Sequence, residues 1–205
     1  MPNEIKHLDT FSGPKNILGY LNGMKSILTK IDIESVVSLR DALFECWQDS
    51  KTVYLAGNGG SESNATHLAN DFIYGLEKST FSKGLKAVSL STNSSVCSAI
   101  SNDEGYEHIY SKQLNALANK GDILLVFSGS GNSKNIINGL KTAKSLGLKT
   151  AGFLGFDGGK AKKLLDICIH TETYNMQLSE DIQIILGHAI SLDLIDIFKK
   201  NIVYK

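Results

Sequence analysis

The chain has 205 residues, 42% of them hydrophobic, and its 21 lysines and arginines balance 21 aspartates and glutamates. This length suits one compact domain, and the lack of net charge or of any lysine- and aromatic-rich stretch argues against nucleic-acid binding. The first thirty residues resemble no export leader, and no run of eighteen apolar residues occurs, so we expect a cytoplasmic protein that does not enter a membrane.

The first part of the chain is predicted to be helical. Residues 1–14 are expected to form an irregular arm that ends at a proline. Apolar residues then recur at helical spacing over 15–31 and again over 33–49. The sequence therefore predicts a pair of packed helices, spanning 15–49, before the first strand.

Short apolar runs then alternate with loops rich in Gly, Ser, Asn and Asp and with helical stretches. This alternation predicts a parallel sheet with helices on both faces, and the continuous apolar runs are typical of strands buried on both sides. A long apolar-faced helix begins at about Leu178. We predict a three-layer α/β sandwich, flavodoxin-like, in one domain over 15–205. Its five strands are predicted at 53–57, 86–90, 122–128, 149–155 and 166–170.

The loop after the first predicted strand is rich in glycine. It runs from Gly57 through Asn58, Gly59 and Gly60 to Ser61, and it opens a helix. In sheets of this kind the ligand lies beyond the carboxyl ends of the strands. Glycines let the backbone approach a ligand, and a helix start offers free N–H groups to an anion. A plain strand-to-helix turn would need only one glycine, so a binding role is favoured.

The loop after the third predicted strand is rich in serine. Ser128, Ser130 and Ser133 are separated by Gly129, Gly131 and Asn132, and a helix follows. Three hydroxyls and the loop amides can meet phosphate oxygens without a lysine. Neither a Walker A loop nor a dinucleotide fingerprint is present. The two loops therefore predict a site for a phosphorylated ligand other than a nucleotide.

Three further polar groups are candidates for chemistry. His67 and Asp71 are four residues apart on a predicted helix, so they can bind a metal together, act as base and orienting partner, or form an ordinary surface ion pair. His188, on the last helix, is either a core histidine or a catalytic or metal-binding group. Asn102 and Asp103 are predicted to close the loop after the second strand, either as an ordinary turn or helix cap or as contacts to sugar hydroxyls.

Together with the Asp157–Lys160 stretch, these segments resemble the sugar isomerase (SIS) domain family, and most of all its phosphoheptose isomerases, over most of the chain. The resemblance implies a homotetrameric, zinc-dependent isomerase with sites at subunit interfaces. It would convert sedoheptulose 7-phosphate into D-glycero-D-manno-heptose 7-phosphate through an enediol, for bacterial surface polysaccharide. The substrate-binding residues implied are Asn58, Gly59, Gly60, Ser61, Asn102, Asp103, Ser128, Gly129, Ser130 and Ser133.

The resemblance also implies a catalytic and metal-binding set. His67 and His188 match the family's metal-binding histidine and its acid/base histidine. The family's catalytic glutamate aligns with Asp71, which is one methylene shorter, and its metal-binding glutamine aligns with Glu180. The expected catalytic residues are Asp71, His188 and Glu180, with either carboxylate as the base, and the expected zinc ligands are His67, Asp71, Glu180 and His188.

Helix geometry constrains this set. Glu180 and His188 would be about 12 Å apart along a continuous helix. Either the helix begins after Glu180, or a neighbouring subunit completes the site. Because two family residues are changed, a non-catalytic regulator or scaffold that binds a sugar phosphate is the alternative to an enzyme. An isomerase for another ketose phosphate is a third possibility.

Overall fold

The computed structural model describes residues 16–201, so the arm predicted over 1–14 lies outside the described residues. Two helices come first, α1 (Ile17–Leu28) and α2 (Ile33–Gln48), as predicted. The side chain of Asn16 accepts a hydrogen bond from a first-turn N–H of α1, and that of Asp32 does the same for α2. Such caps satisfy N–H groups that have no partner within the helix.

The centre of the fold is a five-stranded parallel sheet, which confirms the predicted fold class. Its strands are β1 (Thr52–Gly57), β2 (Lys86–Ser89), β3 (Ile123–Ser128), β4 (Lys149–Leu154) and β5 (Ile167–His170). They lie side by side in the order β2-β1-β3-β4-β5, so the chain connections leave β1 and β3 toward opposite edges of the sheet, and the switch point lies between these two strands. In doubly wound sheets a ligand crevice opens at this point.

Helices cover both faces of the sheet and form two separate cores. Leu55 and Phe127 face one core, together with α2, α3 (Gly60–Asn70) and α8 (Met176–Asn201). Tyr54 and Leu124 face the other core, together with α6 (Ile109–Leu117) and α7 (Lys134–Ser145). No helix within 16–201 is long and apolar enough to cross a membrane. The remaining α-helices are α4 (Leu76–Thr80) and α5 (Ser94–Asp103), and 3-10 turns lie at Tyr106–His108 and Ala161–Leu164.

The prediction that Asn102 and Asp103 close a loop was wrong. Both residues form the last turn of α5, and both are exposed. The helix forms because the side chain of Asn93 caps its first turn, and it ends only before Gly105, whose φ is +104°. Ten mostly polar residues carry too little apolar periodicity to distinguish such a helix from a loop.

The helix that carries His67 changes character at Asp71. Residues Asp71–Gly75 form a π-helical turn, in which the N–H of Leu76 donates to the carbonyl of Asp71. This insertion joins α3 to α4 without a break in the helical path. Turns of this kind occur frequently at functional sites.

Candidate active site

The glycine-rich loop ends where a carboxylate occupies the start of α3. Gly59, with φ of +59°, leads into the helix. The N–H of Ser61 donates to Oε1 of Glu180 over 3.0 Å, and its hydroxyl lies 3.5 Å from the same oxygen. Burial raises the pKa of Glu180, although the hydrogen bonds from Ser61 act in the opposite direction. The helix start that was expected to face a ligand anion thus faces Glu180.

The serine-rich loop is folded by its own hydroxyls. The N–H of Gly131 donates to Oγ of Ser128 over 3.0 Å, and the N–H of Asn132 donates to Oγ of Ser130 over 3.2 Å. Gly131 has φ of +62° and lies directly against the carbonyl of Gly158, so a side chain there would collide with the backbone. The Asp157–Lys160 stretch therefore packs directly against the serine-rich loop.

The two loops meet in one cavity of about 160 Å³ beyond the carboxyl ends of β1 and β3. Eight of the ten predicted substrate-binding residues line the cavity, and Glu180 lines it with them. Asn102 and Asp103, on α5, are not among the residues that line it. The eight are Asn58, Gly59, Gly60, Ser61, Ser128, Gly129, Ser130 and Ser133.

His67, Asp71 and His188 form a second cluster. The Nε2 atoms of the two histidines are 2.9 Å apart, and Oδ2 of Asp71 lies 3.6 Å from His67 and 3.5 Å from His188. Two imidazoles and a carboxylate are a ligand set typical of zinc, whose ligand atoms lie about 3.4 Å from one another in a tetrahedral site. The three residues therefore fit one metal ion. About half of each imidazole is exposed, which leaves room for a substrate or water.

The packing of α3 against α8 brings the two histidines together. Leu68 lies directly against the backbone of Gly187, where a side chain would collide with it. His67 is next to Leu68 in the sequence, and His188 is next to Gly187. The close approach of the two helices at Leu68 and Gly187 therefore also sets the distance between the two imidazoles. His67 and Asp71 lie on the same face, as predicted, although the π-helical turn begins at Asp71.

Glu180 does not join this cluster within the chain. Helix α8 begins at Met176 and continues past His188, so the possibility that it begins after Glu180 is excluded. The carboxylate of Glu180 instead contacts Ser61, at the other end of α3. Of the four predicted metal ligands, the structure brings three together.

Sequence reasoning missed a hydrogen-bonded group around Asn58. The side chain of Asn135, on α7, is 2% exposed and exchanges two hydrogen bonds with that of Asn58, of 2.8 and 3.0 Å. The hydroxyl of Tyr106 donates to Oδ1 of Asn58 over 2.8 Å. An asparagine next to the apolar residues of α7 was the one indication in the sequence, since a buried amide requires partners.

Comparison with known proteins identifies relatives over most of the chain. The SIS domain model matches residues 19–155. A phosphoheptose isomerase of Helicobacter pylori (strain P12) is 36% identical over 178 residues, which cover 86% of this chain and 90% of the relative. A phosphoheptose isomerase of Aliarcobacter butzleri (strain RM4018) is 40% identical over 146 residues, which cover 71% and 76%.

Solved structures give the same result. A phosphoheptose isomerase from Francisella tularensis superposes with a TM-score of 0.80 at 25% identity, covering 86% of this chain and 94% of that one. The phosphoheptose isomerase GmhA from Neisseria gonorrhoeae superposes with a TM-score of 0.77 at 33% identity, covering 84% and 91%. Both similarities extend over nearly the whole length of the solved chains.

Proposed function

Because the chain belongs to the SIS domain family and, within it, to the phosphoheptose isomerases, we propose that it interconverts sedoheptulose 7-phosphate and D-glycero-D-manno-heptose 7-phosphate. The observation that carries the proposal is the convergence of His67, Asp71 and His188 from two adjacent helical segments, both of which begin at the cavity. A protein that only binds a sugar phosphate would need the cavity but not this cluster.

In this proposal the serine-rich loop holds the phosphate. Ser128, Ser130 and Ser133 offer hydroxyls, and the start of α7 offers backbone N–H groups with the positive end of the helix dipole. Holding a remote phosphate allows its binding energy to fix the reacting carbons in place. Sugar contacts from Asn102 and Asp103 stay a prediction.

Isomerisation requires two proton transfers at carbon and a third between oxygens. A carboxylate, Asp71 or Glu180, removes one proton from C1 of the ketose, and the electron pair forms the C1–C2 double bond of an enediol. His188 protonates the C2 oxygen and then accepts the proton of the C1 hydroxyl, and the protonated carboxyl group returns its proton to C2 to give the aldose. A zinc ion held by His67, Asp71 and His188 would supply polarisation of the substrate carbonyl.

The placement of Glu180 supports an assembly in which subunits share sites. If Glu180 takes part in the same reaction as the cluster, a neighbouring subunit would complete the site, because Glu180 contacts Ser61 within its own chain. Ile17, Leu18 and Leu21 of α1 and Leu192 of α8 are large apolar side chains that are more than half exposed. A homotetramer would cover such surfaces, and we include it in the proposal together with zinc. The cytoplasmic location expected from the sequence stays a prediction.

The proposal is tested by NMR in heavy water with the purified protein, first metal-free and then zinc-loaded. Deuterium should enter C1 of sedoheptulose 7-phosphate, and an aldose product should accumulate. If neither Asp71→Asn nor Glu180→Gln slowed the deuterium exchange, both carboxylates would be excluded as the base. Binding of sedoheptulose 7-phosphate without deuterium exchange, in both the metal-free and the zinc-loaded protein, would instead indicate the non-catalytic alternative. Exchange with a shorter ketose phosphate and not with sedoheptulose 7-phosphate would assign a different substrate.

A further inference from the structure

The side chain of Asn58 is held by partners from two distant segments. Its Oδ1 lies 2.8 Å from Nδ2 of Asn135 and 2.8 Å from the hydroxyl of Tyr106, while its Nδ2 lies 3.0 Å from Oδ1 of Asn135. Asn58 lines the cavity between the two loops and is partly exposed there. The chemistry that it offers to a ligand therefore depends on which way its amide is turned.

A backbone group determines the orientation of Asn135. The N–H of Ile136 donates to Oδ1 of Asn135 over 2.9 Å. A backbone N–H can only donate, so turning the Asn135 amide would place its NH2 group against another donor in a buried site. Asn135, which is 2% exposed, must therefore present its oxygen to Ile136 and its NH2 group toward Asn58.

The orientation of Asn135 in turn determines that of Asn58. The atom of Asn58 that receives the Asn135 NH2 group must be an acceptor, so it is Oδ1. Tyr106 donates to the same oxygen. Burial raises the pKa of Tyr106, so its hydroxyl keeps its proton at neutral pH. The Asn58 oxygen thus accepts from two donors at 2.8 Å, with the hydroxyl of Tyr110 as a third, longer donor at 3.5 Å, and one hydrogen on the Asn58 nitrogen is left after the bond to Asn135.

We propose that Tyr106 and Asn135 are positioning residues, which fix the Asn58 side chain as a hydrogen-bond donor to an oxygen of the sugar phosphate. This inference rests on the proposed function for the identity of the ligand, but not for the orientation of the amide. It assigns a role to two residues outside the expected substrate-binding set. It also predicts that Asn58 recognises an acceptor oxygen and not a hydroxyl proton.

Tyr106→Phe removes one hydroxyl and leaves the ring in place. We expect the KM for sedoheptulose 7-phosphate to rise about 2- to 10-fold, with kcat nearly unchanged, because one hydrogen bond to Asn58 is lost. Tyr74→Phe is the matched control, since Tyr74 and Tyr106 are both 55% exposed and Tyr74 is part of neither site. The control should leave both constants unchanged.

A double-mutant cycle separates positioning from direct contact. If Tyr106 acts through Asn58, Tyr106→Phe should have no further effect on substrate affinity in an Asn58→Ala protein. If the hydroxyl of Tyr106 contacts the substrate itself, the same 2- to 10-fold loss would persist in that background, and the proposal would be overturned. Circular dichroism of each variant establishes that the comparison is made between folded proteins.

Neutron diffraction from deuterium-exchanged crystals of the ligand-free protein tests the orientation without any substrate. Two deuterons should lie on the Asn58 atom directed away from Tyr106, and the atom that faces Tyr106 should carry none. The opposite arrangement would overturn the inference even if the enzyme is active. A wild-type protein that neither binds nor exchanges sedoheptulose 7-phosphate would overturn the proposed function and the ligand assigned to Asn58, while the neutron map would still decide the orientation.

Discussion

The Nε2 atoms of His67 and His188 lie 2.9 Å apart, although 121 residues separate them in the sequence. Two nitrogen lone pairs do not face each other at this distance, so either one Nε2–H donates to the other nitrogen or both nitrogens bind one cation. Oδ2 of Asp71 lies at nearly equal distances from both nitrogens. The two nitrogens and the carboxylate oxygen are therefore placed to bind one metal ion.

The first prediction concerns metal affinity. Replacing His67 or His188 with Ala should weaken zinc binding more than about 100-fold, because substitutions of residues that merely orient a ligand already cost 10- to 100-fold. The measurement is a competition titration against a chelator of known affinity. His170→Gln is the control, because His170 contacts the carbonyl of Phe156 away from the cluster. Equal zinc affinities for the wild type, the two alanine variants and His170→Gln would exclude this cluster as the zinc site.

The second prediction concerns the base. Asp71→Asn should slow deuterium incorporation at C1 by about 100-fold or more, the usual range for loss of general acid–base catalysis. Asp196→Asn changes an exposed carboxylate further along α8 and should leave the rate unchanged. If Asp71→Asn retains the wild-type rate while Glu180→Gln loses it, the base is Glu180.

The third prediction concerns the pH dependence of stability. Burial raises the pKa of Glu180 in the folded protein, so folding disfavours its ionised form. Protonated Glu180 therefore contributes its full stabilisation below the pKa of an unfolded glutamate, about 4.3. That stabilisation is lost as the pH rises through the higher pKa of the folded protein, because the buried carboxyl group must then ionise. Glutamine does not titrate. The unfolding temperature of metal-free Glu180→Gln, relative to that of the metal-free wild type, should therefore rise between pH 4 and pH 7. A difference between the two unfolding temperatures that stays constant over this range would contradict the explanation.

Much of the fold could be predicted because its determinants are local. The apolar strands and the glycine- and serine-rich loops are contiguous in sequence, and the structure confirms the sheet that they predicted. The pairing of Asn58 with Tyr106 and Asn135 could not be predicted, since these contacts join residues 48 and 77 positions apart. The separation of Glu180 from His188 likewise depends on where α8 begins, which periodicity alone does not determine.

The fourth prediction concerns the contact between α3 and α8. Gly187→Ala would place a methyl group against Leu68 and push the two helices apart. The alanine itself favours a helix by about 1 kcal/mol over glycine, so any net loss of stability must come from the contact. We expect a lower unfolding temperature and weaker zinc binding, because the separation of His67 from His188 depends on the same approach.

Gly75→Ala is the matched control for this substitution. A methyl group there would meet nothing nearer than the side chain of Asp71, at 3.8 Å. It brings the same helix propensity without a collision, so it should stabilise the protein by about 0.5–1 kcal/mol and leave zinc binding intact. Both variants are followed by thermal unfolding and by chelator competition. If Gly187→Ala also stabilises the protein and keeps its zinc affinity, then the close approach of α3 and α8 at Gly187 does not determine the geometry of the two histidines.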